Sequence, residues 1–463
     1  MPDTVEQNHW DVDRGFVLPP MGDLVSDGRV EHDSDDTEIA YYDTEERDLH
    51  AHGMTLTRAA GEDAEWELSL PGDGATVRFA ASPAVPGALH TIVAGVTHGR
   101  ALEHIATIRT VRERYVVSDA DGGSRIEIDD EERRASLGDR LLAWREVHTT
   151  PAAGQLSKRL RSAGARASIE PSRLTQLLAG DRTVPDTADL APGAQALGRY
   201  VSAQIDRVVL GDIELRRGND PIHDTRVAIR RLRSTIRVFG PLFSASDPQA
   251  VETELKWFAG VLGEVRDCQV QQRRFDAALD ELPDELVLGP VRARLAEELR
   301  AVELPARAEV TEAMDSQRYL ALMTVLRDWR TDPPFEPDAA TTAVRKRARK
   351  AQRKAQRRLD EALETGDDDQ LHRARKAAKR ARYAAELTEP LEPKAAERTR
   401  KHFKKIQSVL GDHQDTVVAM SWLRRLGVAA GTADGENGFT FGLLYGREQA
   451  LAAECRHAVQ QLR

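Results

Sequence analysis

The sequence predicts a multi-domain α+β protein, with an N-terminal antiparallel β-barrel or sandwich followed by an all-α region of tandem helical bundles. Three observations predict this architecture. Short segments of the first 150 residues alternate polar and apolar side chains, as half-buried strands do. Everything after residue 192 has helical periodicity. Within that second part, one basic helical segment occurs twice as an internal repeat.

Composition places the chain among soluble globular proteins. Its 463 residues suffice for two or three domains, and 40% of them are hydrophobic and 31% charged. Only two cysteines occur, Cys268 and Cys455, which excludes a disulfide framework and a cysteine-rich metal site. The sequence has neither a basic segment followed by an apolar run at its start nor an apolar stretch of membrane-spanning length. We therefore expect a cytoplasmic protein without a membrane partner.

The charge is distributed unevenly along the chain. Residues 1–190 carry 20 Lys and Arg against 35 Asp and Glu, a net charge of −15. The remaining residues carry 46 against 41, a net charge of +5. This asymmetry predicts that a polyanionic ligand is captured by the second part and not by the first.

Several strands are predicted in the N-terminal domain, which we assign to residues 1–178. Thr37–Asp43, Trp66–Pro71 and Arg125–Asp129 alternate with period two, and Ser118–Gly123 has the composition of a turn between strands. Several short strands of this kind are typical of a barrel or sandwich. Ser157–Ala163 and Pro171–Ala179 read as short helices that close the domain.

A linker is predicted at 179–192, where large apolar residues are scarce and two prolines occur. The helical domain then covers 193–463. A proline-rich break at 331–338 separates two repeats, at about 193–330 and 339–463. Two helical bundles in tandem are the simplest architecture for this pattern.

The duplicated segments begin at two histidines. His223-Asp-Thr-Arg226 is repeated as His372-Arg-Ala-Arg375, 149 residues later, and basic residues continue at matching positions. A Leu-Gly pair follows each copy, with Gly263 and Gly411 separated by 148 residues. Duplication at matched positions indicates a functional surface in preference to an ordinary solvated helix face.

The repeated residues fall on one side of a helix, because they follow +3 and +4 steps. Arginine forks and lysine ammonium groups in a row suit an elongated phosphate polyanion. Asp267 and Asp415, repeated among the bases, are interpreted as partners that orient arginines. Arg231 and Arg380 point about 100° away from the row and are treated as peripheral. Glu386 stands where the first copy has Arg237, which predicts that the first copy binds more strongly.

Residues 193–463 resemble the CHAD family, the conserved-histidine α-helical domain, in both His-x-x-Arg helices and both Leu-Gly-x-x-[Arg/Gln]-Asp segments. The resemblance implies two pseudo-symmetric four-helix bundles and a basic surface that binds inorganic polyphosphate without a cofactor. By position, it implies these polyphosphate-binding residues: His223, Arg226, Arg230, Arg233, Arg237, Lys256, His372, Arg375, Lys379, Arg382 and Lys404.

Residues 1–178 resemble the CYTH family in Tyr41-Tyr42-Asp43-Thr44, Trp66-Glu-Leu-Ser69 and Trp144-Arg145-Glu146. That resemblance implies an antiparallel β-tunnel that binds triphosphates with inward basic residues and holds Mg²⁺ or Mn²⁺ on inward acids. The retained tunnel positions comprise Arg58, Arg109, Arg112 and Arg173 for phosphate, and Glu127, Asp129 and Glu146 for metal.

The sequence departs from the CYTH pattern at its defining Glu-x-Glu-x-Lys strand. Val5, Gln7 and His9 stand where the two acids and the lysine belong, and His148 stands where a second acid would alternate with Glu146. Losing two carboxylates removes most of the charge that attracts a divalent ion. We therefore assign no catalytic residue, and Mg²⁺ or Mn²⁺ would be needed only if the domain were active.

Three functions remain open from the sequence. The favoured one is an inorganic polyphosphate-binding protein with a non-catalytic CYTH-like domain, located in the cytoplasm, where it could gather at polyphosphate granules. The second is a metal-dependent inorganic triphosphatase that uses the CHAD-like part for recruitment. The third is nucleic-acid binding, which the low aromatic content of 5% disfavours, because base stacking needs aromatic side chains.

Overall fold

The computed structural model describes residues 8–21, 24, 29–71, 75–119, 125–150, 154–168, 173–179, 190–243 and 247–461. Val5, Gln7, most of the predicted linker and the turn after Asp119 lie outside these residues. The chain divides into two compact units, Met1–Val184 and Pro185–Arg463. The first contains the antiparallel sheet, and the second is helical, as the sequence predicts.

The first unit is built from strands and short helices. In chain order these are β1 (His9–Val12), β2 (Arg29–Asp43), α1 (Asp48–Ala51), β3 (Thr55–Ala59), β4 (Trp66–Ser69), β5 (Thr76–Phe79), α2 (Gly87–Ile92), α3 (Ala94–Thr97), β6 (Glu103–Ser118), β7 (Arg125–Leu137), β8 (Arg140–Thr150), α4 (Gly154–Ser162), β9 (Arg166–Ala167) and α5 (Arg173–Ala179). The two helices expected at the end of this unit are confirmed as α4 and α5.

The nine strands form one antiparallel sheet in the order β5-β4-β3-β2-β6-β7-β8-β1-β9. Among the described residues this sheet is open, so the expected closed barrel or tunnel is wrong for this part of the chain. The edge strands β5 and β9 have four and two residues and do not pair with each other. A barrel needs its edge strands to be hydrogen-bonded together, and edges this short leave little backbone for such pairing.

The sheet is covered by apolar residues on both faces. Trp10, Val117 and Ile128 are fully buried on one face, against Leu156 and Leu160 of α4. On the other face, Ile108 and Trp144 form a smaller cluster with Leu174 and Leu177 of α5. Successive side chains along a strand point to opposite faces of the sheet. The position of a charged residue in its strand therefore determines which of these two apolar clusters lies on the same face.

The second unit contains nine α-helices within the described residues. They are α6 (Pro192–Arg216), α7 (Ile222–Phe239), α8 (Pro248–Asp280), α9 (Val291–Asp315), α10 (Gln317–Thr331), α11 (Thr341–Thr365), α12 (Asp368–Thr388), α13 (Pro393–Ala430) and α14 (Phe439–Gln460). The proline-rich break is confirmed between α10 and α11. By position in the repeat, α6 to α9 correspond to α11 to α14.

One apolar core joins the two repeats. Phe275 and Leu279 of α8 and residues of α9 pack with Leu423 of α13 and with Phe441 of α14. Phe275 and Leu423 are themselves equivalent under the 148-residue offset. The repeats thus share a core in addition to the cluster that α11, α12 and α13 form within the second repeat.

Among the described residues, no helix is long and apolar enough to cross a bilayer.

Candidate anion-binding site

The two repeated motifs contact each other across neighbouring helices. Arg226 of α7 lies over Gly263 of α8, where an added Cβ would come within 3.4 Å of the guanidinium, and one Nη donates to the Gly263 carbonyl at 3.2 Å. In the second repeat, Arg375 of α12 lies over Gly411 of α13, with a corresponding separation of 3.6 Å. The repeated glycine therefore makes room for the arginine of the His-x-x-Arg motif.

The repeated aspartates lie beside these arginines. Arg226 donates to Asp267 at 3.3 Å. Burial raises the pKa of Asp415, while the charges of Arg375 and Arg274 oppose this shift. Asp267 is thus placed to orient Arg226, as expected for a partner within the protein, whereas Asp415 acts on Arg375 through its charge alone.

Four cations from the two repeats form what we term the central cationic cluster, consisting of Arg226, Arg230, Arg375 and Lys379. Burial lowers the pKa of Lys379 to about 7, assisted by the nearby charges of Arg375 and Arg230. Burial also lowers the pKa of Arg375, with a further contribution from Arg230. Residues of α7 and α12 therefore act on each other across the boundary between the repeats.

The cluster contains more positive than negative charge. Among the described residues, no carboxylate lies within ion-pairing distance of Arg230, Arg375 or Lys379. The buried Nε atoms of Arg230 and Arg375 have no hydrogen-bond partner among the residues that the structure describes. Since buried polar atoms are ordinarily paired, these two donors are available to an external acceptor.

The two histidines flank the cluster in different surroundings. His223 is exposed over much of its surface, and its partial burial together with the charge of Arg266 lowers its pKa. Nδ1 of His372 lies 2.6 Å from the Gln414 side-chain oxygen, and burial with the charge of Lys376 lowers its pKa. Arg266 and Gln414 occupy the same position of the repeat, so this one difference gives the histidines different neighbours.

Other residues of the predicted row are paired with acids inside the protein. Arg233 and Arg237 both contact Glu252, at 2.8 and 2.9 Å. Arg382 lies 3.3 Å from Glu386 and stacks on the ring of Tyr383. The helical spacing places these residues on the expected helices, but their charges are already partly compensated.

Lys256 and Lys404 are exposed on α8 and α13. Each precedes its repeat's glycine, Gly263 or Gly411, by seven residues, so it lies two turns away on the same side of its helix, at about 10 Å. Neither forms an ion pair within the described residues. They are therefore free to extend the positive surface from these neighbouring helices.

Several cations at the site were not identified from the sequence. Arg266 lies near His223, and Lys376 lies near Arg375 and Arg380. Lys376 follows His372 by one helical turn, a spacing that places both on one face and could have identified it. Arg231, considered peripheral, is bound to Glu386 at 2.9 Å.

The tunnel residues predicted in the first unit do not share one surface. Arg109 and Arg112 lie three positions apart on β6, so they point to opposite faces of the sheet. Arg109 is bound to Asp36 and Arg112 to Asp35. Arg58 donates to the Ala64 carbonyl oxygen and stacks on Trp66. The side chain of Arg173, at the start of α5, lies outside the described part of the structure.

The three acids predicted to bind metal lie within ion-pairing distance of basic side chains. Glu127 is ion-paired with Arg114, which also approaches Asp129. Burial acts to raise the pKa of Glu146, but contacts with His148 and Arg133 outweigh it and lower the pKa to about 2. Among the described residues, no three His, Cys, Asp or Glu side chains converge as a metal site requires. This donor set does not fit a divalent ion.

The following relatives were found by comparison with known proteins. The CHAD domain model matches residues 199–424. The uncharacterized proteins MT2285 and Rv2226, from two strains of Mycobacterium tuberculosis, are each 31% identical over an alignment of 496 residues, which covers 98% of this chain and 94% of theirs.

Two solved structures are also similar. PptA from Streptomyces chartreusis has 22% identity and a TM-score of 0.49, with 58% of this chain and 98% of that chain covered. The CHAD domain from the plant Ricinus communis has 23% identity and a TM-score of 0.48, with 61% and 96% covered.

Proposed function

Because the chain belongs to the same family as the two mycobacterial proteins and carries a CHAD domain, we propose that it binds inorganic polyphosphate on the central cationic cluster. One observation carries the proposal. Arg230, Arg375 and Lys379 are partly buried, close to one another, and without a carboxylate at ion-pairing distance in the described residues. Like charges held together out of water are costly, and an anion with several oxygens offsets that cost.

The length of the cationic surface favours a chain over a small anion. Arg226 and Arg237, on the same helix, are 11 residues apart and so about 16 Å apart along the axis. Arg266 extends the surface near His223, and Lys376 extends it toward Arg237. A flexible chain of phosphates can contact these positions in succession, whereas a single phosphate reaches one of them.

Nucleic acid is a poorer fit to the same surface. Tyr383, the aromatic residue of the second basic helix, is buried and lies beneath Arg231 and Arg382. It cannot serve as a stacking platform for bases, on which proteins that bind single strands rely. If RNA displaced polyphosphate at equal phosphate concentration, the proposed specificity would be wrong.

The first test removes one arginine from each repeat. We expect Arg226→Ala combined with Arg375→Ala to weaken polyphosphate affinity by about 100-fold, since two charge-assisted contacts are lost. The dependence of affinity on salt should also become shallower, because fewer counterions are displaced. Isothermal titration calorimetry at several salt concentrations measures both effects.

A matched control is Arg292→Ala combined with Arg424→Ala. Both arginines are exposed, on α9 and α13, and their removal changes the net charge equally. Thermal unfolding should show both double variants folded. In the cluster variant, the loss of two arginines relieves their repulsion with the other cations of the cluster. In the control variant, both substituted residues are exposed. Equal affinities of the folded cluster variant and the wild type would refute polyphosphate binding at this cluster.

For the first unit we propose a non-catalytic role, because its candidate metal ligands are bound to arginine and histidine side chains. Incubation of the full chain with tripolyphosphate and Mg²⁺ or Mn²⁺ should release no phosphate above background. Release that is abolished by Glu127→Ala would establish the triphosphatase alternative instead.

A further inference from the structure

The first helices of the two repeats differ strongly in charge. α11 carries nine Lys and Arg against three Asp and Glu, whereas its counterpart α6 carries three against three. The basic run 345–358 accounts for all nine. Duplication alone would give both helices the same surface, so the positive charge of α11 is a feature of the second repeat.

Part of this charge lines a cavity between α7, α11 and α12. The cavity has a volume of about 460 Å³. Five cations line it, and its remaining lining residues are uncharged. They are Arg237 of α7, Arg347, Lys350 and Lys354 of α11, and Arg380 of α12. Arg380, expected to be peripheral, thus lines the cavity together with cations from two other helices.

The cations of the cavity are poorly compensated by the protein. Arg237 contacts Glu252 at 2.9 Å. For Lys350, Lys354 and Arg380, no carboxylate of the described chain lies within ion-pairing distance. Burial lowers the pKa of Arg380, and the charges of Arg237 and Arg358 lower it further. The cavity is therefore a site of concentrated positive charge suited to an anionic ligand.

Lys376 connects this cavity with the central cationic cluster. Its pKa is lowered by burial and by the charges of Arg380 and Arg237 at the cavity, and also by those of Arg233 and Arg375. Along α7, Arg230 and Arg237 are seven residues, or about 10 Å, apart on one side of the helix. A phosphate chain bound to the cluster can therefore continue into the cavity without leaving positive surface.

We propose that the cavity is an accessory phosphate site, which binds the continuation of a polyphosphate chain already held by the central cationic cluster. The inference rests on the proposed function. It adds that the protein favours long chains over short ones, because only a long chain occupies both places. A tripolyphosphate ion can bind at the central cationic cluster but does not extend into the cavity, so the cavity does not change its affinity.

The test compares two double variants on the same helix. Lys350→Ala with Lys354→Ala removes two cations that line the cavity. Lys346→Ala with Arg353→Ala removes two exposed cations that do not line it, at the same cost in net charge. All four side chains are exposed, so both variants should fold, which circular dichroism checks.

We expect the cavity variant to bind a long polyphosphate of narrow length distribution about tenfold more weakly than the wild type, with tripolyphosphate affinity unchanged. The control variant should change both affinities by less than about threefold, as expected for screened charges at the surface. Equal weakening by both variants, or equal weakening for both ligands, would overturn the accessory site. A wild-type protein that binds no polyphosphate would instead refute the proposed function.

Discussion

Gly263 and Gly411 show how a single residue can position a functional side chain on another helix. Glycine within a helix costs about 1 kcal/mol relative to alanine, so its presence twice at equivalent positions needs a structural reason. The reason is the approach of Arg226 and Arg375, which lie across the space a side chain would occupy. The Leu-Gly signature is thus the packing partner of the His-x-x-Arg signature.

A bulky side chain at this position should displace the arginine. We expect Gly263→Leu to weaken polyphosphate affinity about tenfold, because the leucine occupies the place of the Arg226 guanidinium. Gly263→Ala should bind almost as well as the wild type, since its Cβ would lie 3.4 Å from the guanidinium. Titration calorimetry on both variants measures the difference.

Gly260→Leu is the matched control for this prediction. Gly260 lies on α8 one turn earlier, with no atom within 4 Å of an added Cβ. If Gly260→Leu and Gly263→Leu weakened binding equally, displacement of Arg226 could not be the cause.

Much of the site could be predicted at the level of single residues, but not its counterions. The +3 and +4 spacing correctly placed the basic residues on α7 and α12. Glu252 and Glu386, which pair with Arg233 and Arg231, lie 19 and 155 residues away in the chain. Helical periodicity gives the face of a residue and says nothing of such distant partners. Arg109 and Arg112 were predicted to line one tunnel. Their spacing in the sequence already argues against this, since strand residues three apart point to opposite faces.

Among the helices, α7 and α12 are held together by Glu386. Its carboxylate accepts hydrogen bonds from Arg231 of α7 at 2.9 Å and from the Tyr200 hydroxyl of α6 at 3.1 Å, and it pairs with Arg382. The residue that breaks the symmetry of the basic row therefore joins the two repeats. A binding arginine at this position would have left Arg231 without its counterion.

Removing this carboxylate should destabilise the helical unit. We expect Glu386→Ala to lower the free energy of unfolding by about 3 kcal/mol, because two partly buried arginines lose their partner. Urea denaturation followed by the helical circular dichroism signal measures the change. Glu397→Ala, which breaks only the exposed pair with Lys401, should leave the curve unchanged. Glu386 would have no such structural role if both variants unfolded alike.

The charge of α11 could have been found from composition, since nine basic residues fall within residues 345–358. The repeated motifs do not indicate this charge, because it has no counterpart in α6. In the first unit, alternation predicted strands correctly, while closure of the sheet depends on pairing between distant edges. No local pattern in a strand reports that pairing.

For the whole molecule, polyphosphate affinity should fall as pH rises from 6 to 8. The pKa of Lys379 is about 7, so this lysine is largely protonated at pH 6 and largely neutral at pH 8. Burial lowers the pKa of His223 and of His372, so their charged forms contribute to affinity mainly toward the acidic end of this range. An anion binds the protonated forms, and affinity is therefore higher at the acidic end.

Titration with a long polyphosphate at constant ionic strength measures this effect, because such chains have few titrating end groups. Lys379→Arg is the informative variant, since arginine keeps its charge throughout this range. Its affinity should vary less with pH than that of the wild type. A wild-type affinity that is constant between pH 6 and 8 would contradict the prediction.

The apolar core shared by the two repeats bears on the origin of the chain. Phe275 and Leu423, equivalent positions of the duplicated unit, belong to the same core. A single copy of the unit would expose this apolar face, which a second copy could cover in a symmetric homodimer. Within one chain the same association is intramolecular and independent of protein concentration. Two copies in one chain can also diverge from each other, which identical subunits of an obligate homodimer cannot do.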